Sequence, residues 1–398
     1  MTAGDEAVGD VGDDVRTGAC AARRGPLHGV LVVDLSRVLS GPYCSMVLAD
    51  LGARVIKVEP PGLGDDSRAF APHAAGGSAY FAAFNRGKES LALDLRQAAD
   101  REVFERLLAR ADVLLDNYRP GVLARLGYPR ETLATRWPRL VHASISGFGQ
   151  DGPYAQRTAY DLIIQAMGGV MSVTGNEGAG PARVGTSIAD IATGLFAAVG
   201  ILAALVERRA DPAVPGRFVD VAMLDCQVAM LEHALLRAQL GDPPQRIGAR
   251  FPTAAPTDAF RTADGWIVIG AVTEPQWRGT LEALGLQALR DDPRYAGVAQ
   301  RVANQAALKV ALEQVTATRP TAHWDAELAA RGVPCGPVRS MAELLADPQL
   351  AWRRMLVDAA GLKVAGNPVR ISGYDTPTAR RPAPALDADR ERLLAEFR

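Results

Sequence analysis

Residues 29–60 run GVLVVDLSRVLSGPYCSMVLADLGARVIKVEP and contain one complete strand–helix–strand unit. The apolar segments 30–34 and 54–59 have the length and the β-branched content of buried strands. Between them, Ser40 is typical of a helix start and Gly52 of a helix end. A helix that joins two short buried strands is the building unit of a parallel sheet. This segment therefore predicts an α/β fold.

The same alternation continues through the first 240 residues. Further strands are predicted at 90–95, 112–116, 140–146 and 217–221, and helices at 97–109, 187–208 and 224–240. We therefore expect a large α/β domain at residues 25–240, built on an open parallel sheet of Rossmann-like type.

Changes in composition divide the rest of the chain. The Gly-, Pro- and Arg-containing stretch 241–256 predicts a crossing into a smaller α+β domain at 241–335. That domain has predicted strands at 258–260 and 266–270, and predicted helices at 276–284 and 304–315. Segment 332–338 predicts the return crossing, and residues 336–398 are expected to pack back on the large domain. The acidic, small-residue segment 1–24 is expected to be a disordered tail.

Composition excludes several classes of protein. The 398 residues carry a formal net charge of -1, whereas a nucleic-acid-binding protein would show a basic excess. The most apolar stretch, 188–206, is shorter than a typical membrane span and contains Asp190, so we expect a buried helix and no membrane partner. Residues 1–24 lack the basic-then-apolar order of a secretory signal, so the expected location is cytoplasmic. The Cys and His residues are scattered, and no metal site is expected.

The loop after the first strand is not a common nucleotide-binding loop. Residues 35–42 lack the G-x-G-x-x-G glycine spacing, and no G-x-x-x-x-G-K-[ST] occurs in the chain. This argues against the usual NAD and ATP enzymes. The loop still leads into a helix N-terminus, which is a suitable place for an anion or the polar end of a ligand.

Basic residues cluster near the predicted strand ends although the net charge is close to zero. They are Arg86, Lys88, Arg96, Arg119 and Arg125. One interpretation is a solvated positive rim. The other is a site for a ligand with several phosphates, because guanidinium groups match phosphate geometry.

Asp190 is the candidate nucleophile. It lies at the start of an otherwise apolar predicted helix, where an unpaired carboxylate is costly. It is either a helix N-cap or a catalytic group. In the second case the helix N-terminus would keep the carboxylate ionised for attack on a thioester.

An ordered series of segments is similar to the class III CoA transferases, the CaiB/BaiF type that includes formyl-CoA transferases and 2-methylacyl-CoA racemases. The matching segments are 29–35, 40–42, 49–53, 55–65, 85–88, 116–121, 126–128, 146–149, 160–161, 190 and 334–338. The resemblance implies that Asp190 attacks an acyl-CoA and carries CoA as an aspartyl thioester. It implies coenzyme A as co-substrate, no permanently bound cofactor, and an interlocked homodimer. The CoA contacts that it implies are Val38, Leu39, Arg96, Asn117, Tyr118, Arg119 and Arg125, with Leu39 standing where some transferases carry Gln.

The racemase branch is the main alternative. It carries His where this chain has Tyr160, and a tyrosine is a poor base at neutral pH compared with a histidine. This departure favours the transferase. Tyr160 is then expected to line the acyl site, the alternative being a buried core tyrosine.

The acid substrate is expected to be a dicarboxylate. Residues 246–253 resemble the branch that uses succinyl-CoA and other dicarboxylates, rather than the glycine run of the formyl-CoA:oxalate enzymes. Arg246 or Arg250 is a candidate clamp for the second carboxylate. The alternative for each is a solvated charge at the hinge.

Overall fold

The computed structural model describes residues 25–74, 77–359, 361–375 and 377–398. Its strands are β1 (Leu31–Asp34), β2 (Arg54–Glu59), β3 (His73–Ala74), β4 (Gly77–Ser78), β5 (Glu89–Ala92), β6 (Val113–Asp116), β7 (Val141–Ser146), β8 (Phe218–Ala222), β9 (Thr257–Arg261), β10 (Trp266–Gly270), β11 (Cys335–Pro337), β12 (Leu356–Ala359) and β13 (Leu362–Ala365).

The helices lie between these strands and after them. They are α1 (Ser40–Asp50), α2 (Ala79–Asn85), α3 (Ala98–Leu108), α4 (Val122–Arg125), α5 (Arg130–Arg136), α6 (Asp161–Met167), α7 (Val170–Val173), α8 (Ile188–Ala210), α9 (Met223–Ala229), α10 (Ala234–Gln239), α11 (Glu274–Leu284), α12 (Val298–Ala303), α13 (Gln305–Thr316), α14 (Thr321–Ala329), α15 (Met341–Leu345), α16 (Pro348–Trp352) and α17 (Arg390–Glu396). Short 3₁₀ helices lie at Asp66–Ala69, Gln287–Asp291 and Pro293–Tyr295.

The main sheet has six parallel strands in the order β5-β2-β1-β6-β7-β8. Its central strands are buried on both faces: Val32 lies in one hydrophobic core and the adjacent Val33 in the other. Continuous apolar runs are what parallel strands need when helices cover both sides. The α/β fold with an open parallel sheet is thereby confirmed.

Helix α8 is the central helix on one face of this sheet. It packs against α1, β7 and β8. The expectation that no apolar segment reaches membrane-spanning length is wrong for α8, whose length and composition suffice to cross a bilayer. Half of the apolar part of this helix is nevertheless buried inside the protein, and Ile201 and Ala197 lie in the core. It therefore packs as the expected buried helix.

A second, antiparallel sheet is built from β11, β10 and β9 around its own core, which contains Phe260, Ile267 and Trp277. Strand β11 occupies the segment expected to be only a return crossing. The Gly and Pro in it weaken the sequence signal, and both are tolerated because β11 is an edge strand. The helix predicted at 224–240 is divided into α9 and α10.

The last helix, α17, packs on the main sheet. Leu393 and Phe397 lie in the same core as β5 and α3, and the amide of Ser90 donates to the Asp389 carboxylate at 3.0 Å. The domain limits at 240 and 335 stay a prediction. The expected tail, 1–24, lies outside the described residues.

Candidate functional site

Asp190 lies in the first turn of α8, beside the first turn of α1. Its side chain is half-buried, and the nearby Ser40 hydroxyl favours the ionised carboxylate and so lowers its pKa. The two helices approach closely because of Gly194, where an added Cβ would lie 2.7 Å from the Ser40 carbonyl oxygen. Ser40 is the first residue of α1 and makes no capping hydrogen bond, so its predicted role as a cap is wrong.

The cap of α8 comes from a different helix. Asp161, the first residue of α6, accepts hydrogen bonds from the amides of Ala189 at 2.9 Å and of Asp190 at 3.4 Å. The N-cap position itself is occupied by Ser187. Asp190 is therefore not the N-cap, and Asp161 satisfies the free amides of this helix end.

Gln165 fixes the segment that leads into α8. Its amide nitrogen donates to the Asp161 carboxylate at 2.6 Å and to the Thr186 carbonyl at 3.3 Å. Its amide oxygen accepts from the Val184 amide at 2.8 Å, and the side chain is fully buried. Gln165 was not predicted from the sequence, where the only indication of its role is that it follows Asp161 by one helical turn.

The electrostatic environment of Asp190 differs from the expectation. The pKa of Asp190 is raised to about 7. Burial is the main cause, the Asp161 charge acts in the same direction, and the Ser40 hydroxyl acts in the opposite one. Desolvation and a like charge both disfavour a carboxylate. Asp190 is thus about half ionised near neutral pH, whereas full ionisation was expected.

An aromatic cluster that includes Tyr80, on which the Asp190 charge acts, was not predicted from the sequence either. Tyr80 on α2 packs edge-on against Phe84, with ring centroids 5.1 Å apart, and against Phe70 at 5.5 Å. Burial raises the pKa of Tyr80 to about 12, and the charge of Asp190 acts in the same direction. The phenol is therefore neutral and able to donate a hydrogen bond at pH 7.

The segment between β1 and α1 is held in place by buried polar side chains. Asn117, which follows β6, accepts from the Arg37 amide at 2.8 Å and donates to the Arg37 carbonyl at 2.7 Å. Asp65 accepts from the Val38 amide at 3.1 Å. These bonds place the segment over the carboxyl ends of β1 and β6, which are neighbouring strands.

Comparisons with known proteins agree with this geometry. The model of CoA-transferase family III matches residues 27–390. An acetyl-CoA:oxalate CoA-transferase from Acetobacter aceti is 45% identical over 95% of this chain and 97% of the relative. This chain belongs to CoA-transferase family III. It is a transferase that moves CoA between an acyl-CoA and a carboxylic acid, as the resemblance in sequence implied.

Further relatives support the assignment over the whole length. A succinate–glutarate CoA-transferase from Agrobacterium fabrum is 38% identical over 94% of this chain and 96% of the relative. A crystal structure of a CAIB/BAIF family protein from Brucella suis has a TM-score of 0.86 at 38% identity, covering 94% of this chain and 100% of that one.

The predicted CoA contacts of the transferase lie at several strand ends. Val38, Asn117 and Tyr118 are half-buried at the ends of β1 and β6, whereas the Leu39 side chain is buried. In the described structure the Asn117 amide is engaged with the protein backbone. Burial raises the pKa of Tyr118 to about 12.

The arginines among the predicted contacts differ in their availability. Arg119 and Arg125 are exposed, and their side chains make no hydrogen bond or ion pair with the residues that the structure describes. Arg96 lies beyond the edge strand β5, and its guanidinium pairs with Asp94 at 2.8 Å.

Two members of the basic cluster are not rim charges. Lys88 is fully buried and donates to Asp34 at 3.2 Å and to Asn85 at 2.8 Å. Burial lowers the pKa of Lys88 to about 8. Arg86 is buried and pairs with Asp50 at 2.8 Å. Neither the solvated rim nor the phosphate site predicted for these two residues is therefore correct, because their charges balance carboxylates inside the protein.

The predicted substrate residues are distributed around the site. Tyr160 directly precedes Asp161, and 76% of its side chain is exposed, so the alternative of a core tyrosine is wrong. Arg246 donates to the Ala179 carbonyl at 3.1 Å, and Arg250 pairs with Glu177 at 2.6 Å. Arg250 and Glu177 border a cavity of about 480 Å³.

Metal ligands are not grouped in the described part of the chain. Within residues 25–74, 77–359, 361–375 and 377–398, no three His, Cys, Asp or Glu side chains form a set suited to a metal ion.

Proposed function

We propose that this transferase carries CoA from succinyl-CoA to a dicarboxylic acid through a CoA thioester of Asp190. The observation that carries the proposal is the half-buried Asp190 carboxylate in the first turn of α8, where this helix packs closely against Ser40 of α1. The acceptor class is supported by the relatives, whose names include oxalate and glutarate as acids.

The reaction uses covalent catalysis in balanced steps. The Asp190 carboxylate attacks the thioester carbonyl, the C–S bond breaks, and an aspartyl–acyl anhydride and CoA thiolate form. The thiolate attacks the aspartyl carbonyl, which releases the first acid and leaves an aspartyl–CoA thioester. The acceptor carboxylate attacks that thioester, and the released thiolate then attacks the acceptor's carbonyl to form the new acyl-CoA and free Asp190. Each step exchanges one acyl bond for another and needs no redox change.

The surrounding groups match the needs of these steps. A pKa near 7 makes Asp190 both a competent nucleophile when ionised and a leaving group in the later steps. Tyr80 is neutral and within the electrostatic influence of Asp190, so it is a candidate donor to the oxyanions that form at the thioester carbonyl. Arg119 and Arg125, exposed beyond β6, are candidates to bind the phosphates of CoA.

Trapping with hydroxylamine tests the covalent step. The wild-type protein is incubated with succinyl-CoA and hydroxylamine, and the peptide containing Asp190 is analysed by mass spectrometry. We expect a hydroxamate on Asp190, loss of exchange in Asp190→Ala, and normal exchange in the control Asp211→Ala at the opposite end of α8. Exchange at the wild-type rate by Asp190→Ala would contradict the proposal.

A panel of acids tests the acceptor class. Exchange from succinyl-CoA is compared for oxalate, glutarate and chain-matched monocarboxylates, with acetyl-CoA as a second donor. We expect larger kcat/KM values for the dicarboxylates. Activity with monocarboxylates alone would show that the acceptor class is wrong.

The transferase is further proposed to be an interlocked homodimer. Large apolar side chains are exposed on α8 and α10, which is unusual for a free surface. They include Leu195, Phe196, Val199, Val206, Leu235 and Leu236. Light scattering after gel filtration is expected to give twice the chain mass, and a stable monomer would contradict this. The cytoplasmic location stays a prediction.

A further inference from the structure

The segment 36–39, which we call the β1–α1 loop, contains a strained residue. Val38 has a φ of 65°, in the left-handed region. A β-branched residue is a marked outlier there, and such a conformation persists only where the surrounding structure imposes it. The structure must therefore supply contacts that hold Val38 in place.

A buried carboxylate supplies the main contact. The Val38 amide donates to both oxygens of Asp65, at 3.1 and 3.3 Å. Asp65 pairs with Lys57 at 2.9 Å, and both side chains are fully buried. The same Lys57 ammonium donates to the Ser36 carbonyl at 2.6 Å. The ion pair therefore hydrogen-bonds to the loop at two positions, Ser36 and Val38.

The other side of the loop is held by Asn117. Its side chain binds both backbone groups of Arg37, and it also donates to the Ser40 hydroxyl at 3.3 Å. Ser40 immediately follows the loop. Its carbonyl oxygen lies 2.7 Å from the position of an added Cβ on Gly194, one turn along α8 from Asp190, and its hydroxyl lowers the pKa of Asp190. The position of that hydroxyl is thus set by the loop conformation.

We propose that Asp65 is a positioning residue for CoA transfer: by holding the strained amide of Val38 it keeps the Ser40 hydroxyl on the Asp190 carboxylate. This inference rests on the proposed role of Asp190 as the nucleophile. A buried ion pair contributes little net stability compared with apolar residues of similar size. The placement of Asp65 on a strained backbone amide is the feature that stability alone does not require.

Asp65→Asn keeps one acceptor oxygen but loses the second oxygen and the charge that pairs with the buried Lys57, so it holds the Val38 amide more weakly than Asp65 does. The substitution then has two effects of opposite sign on Asp190. Removing a negative charge near the site can only lower the pKa of Asp190, or leave it unchanged. Losing the Ser40 hydrogen bond raises that pKa, because the bond favours the ionised form. The other titratable groups near Asp190 are Asp161 on α6 and Tyr80 on α2, and neither is altered by the substitution.

The first experiment is the pH profile of kcat/KM for Asp65→Asn, with Ser40→Ala for comparison. We expect the acidic limb to move to higher pH in both, with kcat reduced about tenfold through misplacement of the site. The matched control is Asp66→Asn, because Asp66 is the exposed neighbour and pairs with Arg37 only at the surface. A folded Asp65→Asn protein with the wild-type kcat and pH profile would overturn the inference, as would a limb that moves to lower pH.

A double-mutant cycle with Val38→Gly tests the strain directly. Glycine adopts the left-handed conformation without cost, so the loop then no longer depends on the Asp65 contact. We expect Asp65→Asn to lower kcat several-fold less in the Val38→Gly background than in the wild-type background. Equal losses in the two backgrounds would show that Asp65 does not act through Val38.

A variant that removes both charges of the ion pair serves as a second test in case Asp65→Asn alone does not fold. The pair Lys57→Met with Asp65→Leu removes both charges together, which a folded protein often tolerates. It is expected to show the same loss of kcat and the same shift of the acidic limb, and normal kinetics in it would also overturn the inference. Hydroxamate formation on Asp190 in the wild-type protein tests the nucleophile independently of Asp65. A wrong nucleophile and a wrong role for Asp65 therefore give different results.

Discussion

The Asp161 carboxylate accepts the amide hydrogen of Ala189 at 2.9 Å, one residue before the candidate nucleophile. It therefore caps α8 and also places a negative charge next to Asp190. The same residue fixes the position of the nucleophile and raises its pKa.

Asp161→Asn is expected to move the acidic limb of kcat/KM to lower pH. The active form of Asp190 is ionised, so activity is lost as the pH falls through its pKa, which is about 7. Removing the Asp161 charge lowers that pKa, while the Asn side-chain oxygen can still cap α8. The measurement is the pH dependence of exchange, with Asp211→Asn as the control. A limb that stays in place or moves upward would contradict this account.

Asp190→Asn is expected to stabilise the protein at alkaline pH while abolishing exchange. The folded-state pKa, about 7, is raised above the ordinary aspartate value of 3.8, so the ionised carboxylate destabilises the folded state. The penalty is absent below the unfolded pKa, grows as the pH rises between the two values, and is complete above the folded one. Allowing for solvent screening, we expect about 1–2 kcal/mol more stability than wild type at pH 8. Urea unfolding at pH 4 and pH 8 measures it, and an equal difference at both pH values would refute it.

Tyr80→Phe is expected to lower kcat by about 10–100-fold with little change in the KM for acyl-CoA. The substitution keeps the ring contacts with Phe84 and Phe70 and removes only the neutral donor. The control is Tyr154→Phe, which removes a hydroxyl from another partly exposed ring. Steady-state kinetics give both constants, and an unchanged kcat would exclude Tyr80 as an oxyanion donor.

Arg119→Ala and Arg125→Ala are each expected to raise the KM for acyl-CoA about tenfold and to change kcat little. Arg96→Ala is expected to have a smaller effect, because its guanidinium is already shared with Asp94 at 2.8 Å. KM values for the three variants test the order, and Arg136→Ala, which removes a surface partner of Glu105, is the control. A larger increase in KM for Arg96→Ala than for Arg119→Ala would show that Arg96, and not Arg119, is the main contact with acyl-CoA.

Lys88→Met is expected to destabilise the protein by about 3–5 kcal/mol, because it leaves the buried Asp34 charge without this partner. A phosphate-binding lysine would instead leave stability unchanged and raise the KM for acyl-CoA. Chemical unfolding of Lys88→Met and kinetics of the surviving folded fraction separate the two roles. Wild-type stability would show that Lys88 does not act inside the protein.

The parallel sheet could be predicted because its signals are local. Strands β1, β2, β6 and β7 are short apolar runs, and their limits agree with the predicted ones to within about one residue. Strand β11 could not be predicted, since its pairing with β10 joins residues 66 to 70 positions apart and its own Gly and Pro oppose it. The break between α9 and α10 likewise has no strong signal in the sequence.

Residue order alone was sufficient for the α/β fold and the family, since periodicity and motif spacing are properties of neighbouring positions. It also makes Asp190 the candidate nucleophile, which stays a prediction. It was not sufficient for the partners of that aspartate, because Asp161, Ser40 and Tyr80 reach it from three other helices. Nor could it separate Lys88, buried on a carboxylate, from the exposed Arg119. A pKa and the accessibility of a charge depend on distance and burial in space, and these exist only once the helices have packed on the sheet.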